Sequence, residues 1–564
     1  MTQAVHASLE QHFDTAFSAP DGIAKLRELI LTLAMQGKLV PQDPNDPPAS
    51  ELLKEIEAEK RRLVEEKKIK KPKLLPPIKL EEVPYELPEG WEWVRLGEIG
   101  VINPRNNAED SIKAGFVPMP MIPEGYSEEH QFEERTWSDV KKGYTHLADS
   151  DVGMAKITPC FENAKSCVFS GLPNGLGAGT TELHIFRNTF NAVLPRFLLY
   201  YLKNPHYISK TVPYMTGSAG QKRVPTPYFT EQLFPLPSLS EQQRIVARID
   251  QLMARCDELE KLRKEREEVR LKVHAAAIKQ LLDAPDAGWP FIQQHFSELY
   301  TVKENVAELR KAILQLAVIG RLVPQDSNDP PACELLKEIE AEKQRLVDEK
   351  KIKKLKPLPP IKPEEVPYQL PRGWEWVRLQ DVLDVRDGTH DSPKDAVGSD
   401  TYPLITSKNF SNGRIDFSEA RMISSEDHFE ITKRSKVDRL DILFSMIGGN
   451  IGNQVIVQED REFSIKNVAL FKYYDRNLTY PYFIKRFMEH IAADLQQKAV
   501  GGAQPFVSLG FLRNIVFGLP PINEQYHIVA RIDELMALCD KLDQQIEAAS
   551  CKQSALLNSV MAQV

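Results

Sequence analysis

Apolar side chains recur at Ile245, Ile249, Leu252, Cys256 and Leu259, alternately four and three positions apart. The same spacing returns at Ile528, Ile532, Leu535, Cys539, Leu542 and Ile546. This is the narrow seam of a helix that packs against another helix, not the broad face of an ordinary surface helix. Each stripe predicts a helix of about 40 residues, about 60 Å long at 1.5 Å per residue. The two stripes are one stretch written twice, since IVARID begins at Ile245 and again at Ile528, 283 positions apart. Two such helices packed antiparallel would form a rod.

Laid on itself at that shift, the chain repeats elsewhere. VPQDPNDPPASELLKEIEAEK at Val40 faces VPQDSNDPPACELLKEIEAEK at Val323, and LPEGWEWVRL at Leu87 faces LPRGWEWVRL at Leu370. Between residues 24–98 and 307–381 roughly three positions in four are identical. A period of half the chain is too long for a solenoid and describes two domains on shared scaffolding. Residues 1–36 read as helical, with Ile23, Leu26, Leu29, Ile30 and Leu33 on one face and Gly37 as the helix-ending residue. A charged helix is expected from about Ser50 to Lys71, Ser50 being a candidate cap whose counterpart is Cys333. The proline-rich run from Pro72 cannot be a helix interior and should lie as an extended strap. Trp91 and Trp93, like Trp374 and Trp376, suit a first strand with one buried aromatic face.

The copies diverge over 95–235 and 378–517. Both stretches carry short β-like runs broken by Gly, Pro and Asn, then a helical segment, LPRFLLYYLKN at Leu194 and TYPYFIKRFMEHIAADLQQ at Thr479. Few landmarks stay in register: DVGMAKI at Asp151 with DILFSMI at Asp441, and Gln221-Lys222-Arg223-Val224 with Gln504-Pro505-Phe506-Val507. The fold expected is α+β, with two α/β variable domains separated by long antiparallel coiled-coil helices and an internal pseudo-two-fold from tandem duplication. Its borders are 1–94 (helical scaffold and strap), 95–235, 236–377 (central spacer helix and repeated scaffold), 378–517 and 518–564 (final spacer helix).

Composition narrows the chemistry. No run of 18 apolar residues predicts a membrane span, and the first twenty residues lack the pattern of a secretory signal. Six cysteines without a CxxC pair suit reduced thiols in the cytoplasm. A net charge of −8 does not by itself point to nucleic acid, although phosphate contact needs only local positive charge. There is no GxGxxG or GxxxxGK[ST] phosphate loop, and GGNIG at Gly448 lacks the lysine and reads as a turn. Asp46-Pro47-Pro48 and Asp329-Pro330-Pro331 resemble the methyltransferase (N/D)PP(F/Y) signature, yet alanine follows in both copies, so a turn is expected. His390 and Asp391 have no second histidine at metal-ligand spacing. No catalytic residue and no metal site are therefore assigned.

With LPSLSEQQRIVARID at Leu236 and LPPINEQYHIVARID at Leu519, near-identical spacers and unlike variable domains, the chain resembles the specificity (S) subunit of type I restriction–modification systems. DVRDGTHDSPKD at Asp384, DILFSMIGGNIGN at Asp441 and FVSLGFLRNIVFGLPP at Phe506 look like parts of its target-recognition domains, and the NDPPxxELLKEIEAEK scaffold resembles the type IB branch. The resemblance implies that 95–235 and 378–517 each read one half of an asymmetric bipartite site on double-stranded DNA. Two modification subunits would bring S-adenosylmethionine, and restriction subunits ATP and magnesium, with no cofactor in this chain. Candidate DNA-binding residues are Gln221, Lys222 and Arg223 in the first reader. In the second they are Thr389, His390, Asp391, Ser392, Lys394, Lys408 and Gln504, because polar loops can address base edges and phosphates. Rival readings are a self-contained methyltransferase or nuclease, tested by methyl transfer from the purified chain, and a protein-binding scaffold, tested by mobility shift with the partners present.

Overall fold

The computed structural model describes residues 14–15, 17–66, 74–499 and 505–562. The chain divides into two compact units, Met1–Arg266 with Ala549–Val564 and Glu267–Ala548, each with its own core.

Unit 1 opens with α1 (Gly22–Met35) and α2 (Ala49–Glu65). Gly37 takes φ +68°, which turns the chain so that Lys38 N–H donates back to the Leu33 carbonyl at 2.8 Å. Glycine accepts that left-handed conformation because it has no Cβ to clash. The expected Ser50 cap is not made. α2 starts one residue earlier, after Pro48, and the Ala49 N–H donates to the Gly90 carbonyl at 2.8 Å instead. The Asp-Pro-Pro stretch is thus a turn feeding a helix, held by Arg244, whose guanidinium reaches Asp46 at 2.6 Å. The strap from residue 74 runs without regular structure apart from one 3-10 turn at Leu80–Glu82. Prolines leave it carbonyls but few donors, and buried Arg95 supplies the missing ones. Its Nε donates to the Pro76 carbonyl at 2.8 Å, Nη1 to the Glu231 carbonyl at 2.7 Å and Nη2 to Glu82 at 2.8 Å.

β1 (Glu92–Arg95) leads into the first variable domain, which is built on two four-stranded sheets. One orders β2 (Val101–Ile102), β9 (Leu183–Arg187), β6 (Val152–Ala155) and β7 (Ser166–Val168), all antiparallel. The other orders β4 (Glu133–Thr136), β3 (Lys113–Val117), β8 (Leu176–Gly179) and β5 (Thr145–Ala148), with β3 and β8 parallel. After α3 (Pro195–Leu202) the chain returns in β10 (Leu233–Leu236), antiparallel to β1 with Glu92 opposite Leu236. That two-stranded ribbon closes the domain beside its exit into α4 (Leu239–Asp283), a helix of 45 residues.

Unit 2 takes up the end of α4, then α5 (Pro285–Gln294), α6 (Lys303–Val318) and α7 (Ala332–Asp348). β11 (Glu375–Arg378) again precedes the variable domain. The first sheet of that domain orders β12 (Leu383–Asp387), β20 (Val468–Tyr473), β17 (Ile442–Ser445) and β18 (Gln454–Ile456). A three-stranded sheet orders β16 (Arg421–Ser424), β13 (Thr401–Ile405) and β19 (Ser464–Ile465), and β14 (Phe410–Ser411) pairs with β15 (Arg414–Ile415). Helices α8 (Ser425–Ser435) and α9 (Pro481–Lys498) follow their strands, β21 (Val516–Leu519) pairs with β11, and α10 (Ile522–Ala562) has 41 residues. Both variable domains are mixed, mainly antiparallel α+β structures, not the strand–helix alternation of an α/β sheet. Their central sheets match strand for strand although the sequences diverge, and only β6 and β17 fall in segments that stay in register along the sequence.

The helical stripe packs against its own unit. Ile245, Ile249 and Cys256 join the core of unit 1, and Ile528, Ile532, Leu535 and Cys539 that of unit 2. Leu259, expected on the seam, is 49% exposed. A four–three spacing describes a helix face that meets another element but does not name the element, so the sequence could not decide this. Unit 1 also takes in the end of α10, where fully buried Leu557 clusters with Phe17, Ala19 and Leu29.

Candidate nucleic-acid interface

Each variable domain is fixed to its mount by the same pair of buried residues. In unit 1 Glu241 accepts the Trp91 indole N–H at 2.9 Å and the Gln42 amide at 2.7 Å. Beside it Gln242, fully buried, accepts the Leu194 N–H at 2.8 Å and donates to the Ala192 and Pro237 carbonyls. In unit 2 Glu524 accepts from Trp374 at 2.9 Å and from Gln325 at 3.2 Å, while Gln525 accepts the Tyr480 N–H at 2.9 Å and donates to Pro520. Burial pushes both carboxyls up against these hydrogen bonds. Trp91 and Trp374 are core residues, as their pattern suggested, and also the donors that seat the helix. Asp250 and Asp533, on the same helices, hold Arg196 of α3 and Arg486 of α9.

Within the first reader, the loop carrying Gln221, Lys222 and Arg223 turns back on itself. Thr216 and Arg223 exchange backbone hydrogen bonds at 2.9 and 2.8 Å, and Gln221 N–H donates to Ser218. The loop then docks on the exit of β6. Thr158 N–H donates to the Lys222 carbonyl at 3.0 Å, Arg223 bridges Ile157, and Val224 N–H donates to the Lys156 carbonyl at 2.8 Å. Gln221 and Lys222 are exposed. Arg223 is half-buried and committed, its guanidinium gripping Glu182 at 2.8 and 2.9 Å. That contact holds the Glu182 carboxyl below its usual range. Arg223, a candidate from the sequence, is therefore an oriented donor. Lys156 and Glu182, which the sequence reading missed, belong to the same cluster, and only the β6–β9 pairing brings them there. Beneath lies His184, stacked on Phe229 at 5.0 Å, with Nε2 2.8 Å from the Val224 carbonyl and burial depressing it to about 4.

The second reader repeats this docking with other side chains. Gly448 N–H donates to the Pro505 carbonyl at 2.8 Å, Phe506 bridges Ile447, and Val507 N–H donates to the Met446 carbonyl at 2.9 Å. The two landmarks that stayed in register along the sequence are thus the two sides of one contact. Each strand preceding it begins beside a buried carboxylate, Asp151 gripped by Arg187 at 2.6 Å and Asp441 by Lys472 at 2.6 Å. Gln504 lies outside the described residues.

The candidates Thr389, His390, Asp391 and Ser392 lie at one edge, where β12, β13 and β19 end. Thr389 N–H donates to the Ile465 carbonyl at 3.0 Å and Lys466 N–H to the Ile405 carbonyl at 2.9 Å. His390 lies between Asp387 at 3.0 Å and Asn467 at 3.1 Å, and Lys466 donates to the Ser392 hydroxyl. Arg434 is ion-paired to the same Asp387. Asp391 N–H is held by the Thr389 hydroxyl at 3.1 Å. Lys394 is exposed in a loop tethered at Pro393 and Asp395 by Arg421. Lys408 is exposed on the 3-10 turn Ser407–Asn409 that follows β13. The structure thus joins Thr389, His390 and Ser392 into one hydrogen-bonded patch and adds Lys466 and Asn467, which no sequence spacing linked to them. Lys394 and Lys408 sit on separate loops, without an ion pair among the described residues. In the same set no three His, Cys, Asp or Glu side chains form a metal cluster, and no helix is long and apolar enough to cross a membrane.

Residues 88–269 and 371–549 match the family described as Type I restriction modification DNA specificity domain. Over 555 residues the chain is 41% identical to the Type I restriction enzyme EcoAI specificity subunit of Escherichia coli, covering 96% of this chain and 93% of that one. It is 39% identical over 559 residues to the EcoEI specificity subunit of the same species, with the same coverage. Among solved structures, the HsdS subunit from Thermoanaerobacter tengcongensis aligns with a TM-score of 0.46 and 18% identity, over 86% of this chain and 99% of that one.

Proposed function

The chain belongs to the family of type I restriction–modification DNA specificity subunits, and from that premise we propose how it divides the reading of a split DNA site. Residues 95–235 read one half and 378–517 the other, while the long helices and the repeated scaffold dock two modification subunits and set the unread gap. The chain supplies sequence choice and no bond chemistry. S-adenosylmethionine belongs to the modification subunits, ATP and magnesium to the restriction subunits, and the complex works in the cytoplasm.

The observation that carries this reading is the matched docking of unlike loops, Lys222–Val224 on β6 and Pro505–Val507 on β17, within domains mounted alike. Equal mounts give both readers one geometry, and unequal loops give them different preferences. Exposed Lys222, Lys394 and Lys408 are point charges on loops and suit phosphates, which position without specifying. Arg223, aligned by Glu182, and the Thr389–His390–Ser392 patch present directed donors and acceptors suited to base edges.

Mapping of methylated adenines in a genome that expresses this chain with its modification subunits tests the reading. One split motif with unlike halves is expected. A single unbroken motif, or no methylation that depends on this chain, refutes it.

A further inference from the structure

The GGNIG turn lacks the lysine of a phosphate loop, and its geometry leaves one glycine unexplained by the fold. Gly448 takes φ +74°, so glycine suits its backbone. Gly449 lies outside that left-handed region, and a Cβ built on it would meet nothing within 4 Å among the described residues. Neither conformation nor packing demands glycine there, and it lies exposed at the tip of the turn. A bare backbone at such a place suits close approach by something outside the chain. Two positions away in the ladder stands Phe506, 49% exposed and paired with Ile447. Single exposed apolar residues are ordinary. This one occupies the register position that Arg223 holds in the first reader, opposite Ile447 as Arg223 is opposite Ile157. Beside it Met446 stands where the first reader has Lys156. At equivalent places one reader presents cations and the other a phenyl ring beside an exposed turn.

An apolar side chain that reads a base edge has one target among the four bases, the C5 methyl of thymine. We propose that Phe506, with Gly449 leaving room for the duplex, contacts a thymine methyl in the second half-site and sets an A·T preference there. The inference rests on the split-site reading above and deepens it.

The test uses the complex of this chain with its modification subunits, once mapping has given both half-sites. Thymines of the second half are replaced one at a time by deoxyuridine, which removes only the methyl. At one position the wild-type complex should bind about fourfold more weakly, the effect of one buried methyl. Phe506→Ala should bind the thymine and deoxyuridine duplexes alike, and Phe506→Leu should keep part of the difference. Gly449→Val should weaken binding of the whole site while leaving the melting temperature unchanged. The proposal is overturned if no deoxyuridine replacement affects the wild-type complex, if Phe506→Ala retains the discrimination, or if the second half-site contains no A·T pair. Failure of the split-site reading is a different result, because the mapping would then give no bipartite motif.

Discussion

At the scale of single residues, the cluster under the first reader's loop titrates in a useful range. His184 Nε2 donates to the Val224 carbonyl, next to Arg223, and burial lowers its pKa to about 4 from an ordinary value near 6.5. The unfolded chain therefore takes up a proton between about pH 6.5 and pH 4 that the folded domain refuses. Stability falls as pH drops through that window, by up to about 1.4 kcal/mol per pH unit and on the order of 3 kcal/mol in all. Thermal melts from pH 7 to pH 4 should show this loss, and His184→Gln, which keeps a donor but cannot titrate, should flatten it. A slope unchanged by that substitution would assign the acid sensitivity to other groups. Arg223 teaches a related lesson, since a guanidinium that looks available in the sequence is oriented by Glu182 from β8–β9.

At the scale of elements, the start of each long helix explains its own motif. In LSEQQ and INEQY the glutamate receives a tryptophan indole and the glutamine receives a backbone N–H of the variable domain. Both glutamines are fully buried, so groups left unpaired by their loss are poorly reached by water. Gln242→Ala would leave the Leu194 N–H and the Ala192 and Pro237 carbonyls unpaired, a cost of about 2–4 kcal/mol. Gln525→Ala, which strands fewer groups, should cost less. Denaturant melts of the two variants check the order, and equal losses would mean that the Ala192 contact contributes nothing. The motif was visible as a repeat long before its purpose was, because the groups it satisfies lie 48 and 150 residues away.

At the scale of the whole molecule, each unit holds its own scaffold, ribbon and reader around a separate core. Substitutions in one reader should therefore act on one half-site. Arg223→Ala should relax base preference in a single half while the other stays as it was, read from the methylated motif. Lys222→Ala should instead weaken binding across all sequences and lower the salt slope by about 1, as a phosphate contact does. Loss of preference in both halves from either change would contradict two independent readers.

The sequence by itself determined the duplication, the long helices, the extended strap and the family, because each is a local or periodic pattern. It also aligned Asp151 with Asp441 and the loops ending at Val224 and Val507. Whether the helical stripe meets a distant helix or its own unit, what holds Arg223, and which residues share an edge with Thr389 and His390 were decided by tertiary structure alone. The last two outcomes depend on strand pairings between segments tens of residues apart, such as β6 with β9 and β13 with β19. A linear pattern records which face a residue occupies but not what is folded against it.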